Sequence, residues 1–98
     1  MARFDVYKTN PAGYLLDVQT DLLSGLNTRV VVPLLPRIDA PKPASRLNPM
    51  FEIDGQQLVM VTQFMAAIPA AELKQAAASL AEHQHEVSEA LDMLFIGF

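Results

Sequence analysis

The chain contains no cysteine and no tryptophan. Without cysteine there is no disulfide framework, no thiolate nucleophile and no Cys-based metal site. Positive charge is also scarce: seven Lys and Arg stand against eleven Asp and Glu, a net charge of −4. No run of basic residues supplies the patch that phosphate contacts require, which weighs against nucleic acid as a direct ligand. The longest apolar run, residues 30–35, is interrupted by Pro33 and falls far short of the roughly 20 residues that span a membrane. Arg3 and Asp5 occupy the place where an export signal would be apolar. No glycine-rich phosphate loop is found, and Ser24-Gly25 lacks the flanks of a nucleophile elbow. The expectation is a soluble, cytoplasmic protein that is not an enzyme.

Two further chemistries are weak. His83 and His85 form the only His-x-His pair, and on a helix such positions point about 200° apart, so they cannot share a metal. Asp17, Asp21, Asp54 and several glutamates are present, but no spacing sets two carboxylates side by side for acid–base work. No metal, cofactor or catalytic residue is expected.

Apolar side chains are what the chain has in abundance, 51% of 98 residues. One domain, residues 1–98, fits this length, and its surface-to-volume ratio is high. So much apolar surface on a small body favours self-association, most often as a twofold dimer.

The first two-thirds read as strands. Residues 3–8 alternate with period two, as a half-buried strand does. Turn residues follow at 10–13, and residues 14–19 form a second strand with Leu16 and Val18 inward. The 20–27 connection has an unusually apolar tip. Leu22 and Leu23 either cap the core from beneath the loop or stand out as contacts. Residues 29–35, rich in β-branched side chains, suggest a central strand apolar on both faces, with Pro33 at a bulge or edge-facing position. Residues 36–49 carry four prolines and three of the basic residues (Arg37, Lys42 and Arg46). They read as a solvated loop or as a docking site for an acidic segment. Asp54-Gly55 between two apolar runs predicts a tight hairpin joining 50–53 to 56–62. Another short strand is expected within 63–69, ending at Pro69.

Beyond Pro69 the period changes. Residues 70–78 are alanine-rich and suit a short helical turn. Ser79 and Glu82 match a capping box, and a final helix is predicted over 80–95. Several strands followed by one terminal helix make an α+β domain. On that helix, at about 100° per residue, Val87, Leu91, Leu94 and Phe98 share one inward stripe. Ile96 lies on the opposite side among Glu82, His85, Glu89 and Asp92. A lone exposed apolar residue is ordinary, but one set among carboxylates also suits a recognition surface.

These residues resemble a family. The stretches 16–23, 27–29, 32–34, 45–46 and 61–63, with Pro49, Ile53, Met65, Ile68-Pro69 and the ending Phe95-Ile96-Gly97-Phe98, are similar in order and spacing to the CcdB toxins of bacterial toxin–antitoxin modules. The resemblance covers nearly all of residues 3–98. It implies an SH3-like small antiparallel β-barrel with a second small sheet and a C-terminal helix, assembled as a homodimer. It also implies a function without catalysis: binding the A subunit of DNA gyrase, trapping the gyrase–DNA cleavage complex, and neutralisation by a CcdA-like antitoxin. DNA would be reached only through gyrase or the antitoxin, with autoregulation of transcription as part of the family pattern. By the same resemblance the gyrase-binding residues are Leu22, Leu23, Asp92, Phe95, Ile96, Gly97 and Phe98. A well-studied member carries tryptophan at the position of Ile96 and asparagine at that of Asp92. Contact here would therefore rest on a smaller apolar group and an added charge. Two other readings remain open: a MazF/Kid-like ribonuclease toxin on the same fold, and a chromosomal homologue that keeps the dimer and antitoxin binding but no longer poisons gyrase.

Overall fold

The computed structural model describes residues 2–9 and 13–98. Seven strands come first: β1 (Asp5–Lys8), β2 (Tyr14–Asp17), β3 (Thr28–Pro36), β4 (Met50–Ile53), β5 (Gln56–Met60), β6 (Ala66–Pro69) and β7 (Ala78–Ser79). One helix follows, α1 (Gln84–Ile96). The strands make one antiparallel sheet in the order β4-β5-β3-β2-β1-β7, with β6 also on β3, and it curves into a nearly closed barrel. The α+β small barrel is as expected. The second small sheet is present as a branch of this sheet, not as a separate layer. The turn anticipated at 10–13 lies, for residues 10–12, outside the described residues.

Period-two alternation decides which side chains go inside. Val6, Leu16, Val32 and Leu34 line the inner face and are fully buried. Phe51, Ile53, Leu58 and Met60 from β4 and β5 meet them, and α1 adds Val87, Ala90 and Leu91. Val31 points the other way, where Tyr7 and Leu73 form a smaller apolar cluster. The central strand is thus apolar on both faces, as its composition suggests.

β3 forks the sheet. Its first half pairs with β6 (Val31 opposite Ala66) and its last residues with β5 (Leu34 opposite Met60). Pro33 falls between the two partners, opposite Leu15 of β2 on the other side. Its carbonyl accepts from Val61 N–H at 3.0 Å, so its nitrogen faces the gap where no strand pairs with it. The position is edge-facing in that local sense: a change of partner makes room for the missing donor.

The Asp54-Gly55 turn is as tight as its sequence requires. Both residues have positive φ, 53° and 76°, and Ile53 pairs directly with Gln56. Tyr14 reaches across to donate its hydroxyl hydrogen bond to Asp54 Oδ2 at 3.2 Å. Burial, then that carboxylate, pushes the Tyr14 phenol above its ordinary pKa.

The helix starts later than the capping signal suggests. Ser79 Oγ does accept from the Ala81 N–H at 3.2 Å. Leu80, however, is buried in the core and its N–H is taken by the Phe4 carbonyl at 2.8 Å. That tie holds Leu80 outside helical angles, a 3-10 turn follows at Ala81–His83, and α1 begins only at Gln84. The 36–49 segment is irregular but anchored. Asn48, buried, donates to the Met60 carbonyl and to Gln63 Oε1 and accepts from the Ala44 N–H. Arg46 reaches Glu89 of α1 at 3.1 Å.

Candidate protein-binding surface

The residues singled out by sequence fall on two elements. At the C-terminal end of α1, Gly97 takes a left-handed conformation (φ 84°), and its N–H returns to the Asp92 carbonyl at 3.1 Å. Such a stop favours glycine, which has no Cβ to clash. Ile96 is 58% exposed and Phe95 is more open still. Asp92 is exposed on the same turn and makes no ion pair among the described residues. Ile96 therefore stands off the core stripe, as its helical angle requires.

Phe98 is a correction. Its angle puts it on the inward stripe with Val87 and Leu91, yet it is 75% exposed. An inward place for residue 98 needs a helix that runs through it, and Gly97 ends the helix at 96. Past that stop the helical phase no longer applies. Leu94, still inside α1, is half-buried. The two histidines go separate ways: His83 Nδ1 lies 3.1 Å from Glu86 and His85 Nε2 3.5 Å from Glu89.

The second element is the β2–β3 connection, which carries a 3-10 turn at Asp21–Leu23. Leu22 is 93% exposed, and Leu23 and Leu26 are half open. Leu22 and Leu23 therefore do not cap the core from beneath the loop; they point outward. Thr20 Oγ1 caps the turn by accepting the Leu22 N–H. Hydrogen bonds and ion pairs of the described residues tie this loop to Arg3, just before β1, and to β3, and tie α1 to the Arg46 segment; none joins loop and helix tip.

Beneath the loop lies a polar cluster that no spacing argument foresaw. Asp17 and Arg29 are both fully buried, and the guanidinium grips the carboxylate side-on, Nε to Oδ2 at 2.8 Å and Nη2 to Oδ1 at 2.9 Å. The register explains the meeting. Asp17 pairs with Val31, so Arg29, two residues earlier, is its diagonal neighbour on the same face. Nη2 also donates to the Gln19 carbonyl. Hydrogen bonding to Asp17 raises the Arg29 pKa, against the opposing effect of burial. The available signal was a charged residue inside each of two otherwise apolar strands, twelve positions apart across one connection. Read singly, each looks like a strand end.

A small antiparallel barrel closed by one terminal helix, its apolar groups displayed at the helix tip and on one loop, defines the α+β small-barrel class. A family model described as CcdB protein matches residues 3–97. The chain belongs to the CcdB family, and so sits among the toxins of toxin–antitoxin modules. No helix among the described residues is long and apolar enough to cross a membrane.

Proposed function

We propose that the protein acts as a cytoplasmic homodimer that binds the A subunit of DNA gyrase and traps the cleavage complex, and that a CcdA-like antitoxin neutralises it. The observation that carries this reading is the display of Phe95, Ile96 and Phe98 together at the end of α1, facing water and not core. Burying the Ile96 side chain against a partner contributes roughly 1.5–3 kcal/mol. Leu22 and Leu23 supply a second apolar contact from the β2–β3 loop. The chemistry required of the protein is complementarity alone: apolar groups that fill a partner's pocket and hold one conformation of it.

The test is supercoiling by purified gyrase with the protein added. Inhibition with accumulation of cleaved DNA is expected, and deletion of residues 96–98 should abolish both while leaving a folded protein by circular dichroism. No inhibition and no cleaved DNA, at concentrations far above the dimer's own Kd, would remove the poison reading. The chromosomal-homologue alternative, with antitoxin binding only, would then stand.

A further inference from the structure

The loop that carries Leu22 and Leu23 is held from below by side chains that the proposed contact does not itself use. Gln19 is buried and closes the loop at both ends. Its amide nitrogen donates to the Leu23 and Thr28 carbonyls at 3.4 and 3.2 Å, and its oxygen accepts the Val30 N–H at 3.1 Å. Arg29, locked onto Asp17, extends Nη2 to Asp21 Oδ1 at 3.4 Å. The same Asp21 oxygen accepts the Arg3 N–H at 2.9 Å. The chain enters β1 through Phe4 at φ 76°, an angle rare for a bulky side chain, and Phe4 N–H is fixed to the Asp17 carbonyl at 2.7 Å. Asp21, largely exposed, is therefore the point where a buried ion pair and the β1 entry meet the first residue of the turn bearing the two leucines.

We propose that Gln19, Arg29 and Asp21 are positioning residues for the Leu22–Leu23 contact: they hold the loop in its binding shape before the partner arrives. The proposal rests on the reading of these leucines as a gyrase contact. A loop already ordered loses less conformational freedom on binding, and the affinity rises accordingly. A loop competent only part of the time binds more weakly in proportion to that fraction.

Asp21→Ala, Asp21→Asn and Leu22→Ser decide the matter, because both sites are exposed enough for the barrel to fold. Hydrogen exchange is measured at the Leu23 and Ser24 amides, which donate to the Thr20 and Asp21 carbonyls, and at Gly97 as a distant control. Gyrase A affinity and the urea midpoint are measured on the same samples. In Asp21→Ala, loop exchange should quicken and gyrase affinity fall, each about tenfold, the size expected for losing hydrogen bonds to a charged group. Gly97 exchange and the urea midpoint should stay put. Asp21→Asn, which keeps an acceptor oxygen, should recover part of both losses. If Leu22→Ser weakens binding while Asp21→Ala changes neither exchange nor affinity, positioning is overturned and the contact stands. If Leu22→Ser leaves affinity intact, the contact is overturned and the proposal falls with it.

Discussion

The helix tip and the β2–β3 loop both present bare apolar side chains to water, but they are built on opposite principles. At the tip the display is local: a helical phase sends Ile96 outward and a left-handed glycine throws Phe98 out after it. Neither side chain belongs to a buried cluster among the described residues. At the loop the display is remote: Leu22 stands on a turn whose shape is set by Gln19, Asp17 and Arg29 beneath it. A surface contact can thus be nearly free of the fold or wired into it. The difference predicts which mutations uncouple binding from stability.

The contrast would break first at Arg29. Arg29→Met leaves the Asp17 carboxylate buried without its partner and should cost about 3–5 kcal/mol, measured as a drop in urea stability. Adding Asp17→Leu should recover most of that loss, since a buried pair exchanged for apolar groups of similar volume is often neutral. If Arg29→Met is mild alone, the loop is not wired to the core as described. A smaller effect is expected in alkali. Tyr7 and Tyr14 are both pushed above the ordinary phenol value of 10.0, each chiefly through burial, with Asp5 next for Tyr7 and Asp54 next for Tyr14. The folded state therefore keeps protons that the unfolded chain releases. Stability should be complete below about pH 10 and decline above it, and Tyr14→Phe should flatten that decline in denaturation curves. At the small end, Ile96→Ser should change thermal stability by no more than about 0.5 kcal/mol, as exposed sites do. An Ile96→Ser loss as large as that of Arg29→Met would erase the distinction between the two regions.

The same contrast sets what could be read from the amino-acid order. The Asp54-Gly55 hairpin, the alternation of β1 and β2, the two apolar faces of β3 and the outward angle of Ile96 are consequences of neighbours a few residues apart, and they were legible. Phe98 was not, because one glycine's backbone angle overrides the phase of the thirteen helical residues before it only at the last step. The late start of α1 depends on Leu80 being claimed by Phe4, a residue far away in the chain. The Asp17–Arg29 pair needs the register of β2 on β3 before it can be seen at all. The candidate site divides along the same line. Its outward residues were named from the sequence and the family resemblance, and its buried support was not.

Pro33 gives the barrel an index mark. Every other residue of β3 before Pro36 carries both a donor and an acceptor, so a shifted β5 or β6 could trade one ladder bond for another there, although a one-residue slip turns its buried side chains outward. At Pro33 no such trade exists, because any shift that brings a carbonyl opposite its nitrogen leaves that carbonyl buried without a donor. β6 pairs with β3 up to Val31 and β5 from Leu34 onward, so the change of partner falls across this residue. In folding terms, a single imino acid penalises registrations of β5 and β6 that would set a carbonyl against its nitrogen, while the height at which Arg29 finds Asp17 is fixed on the other side of β3, by its register on β2.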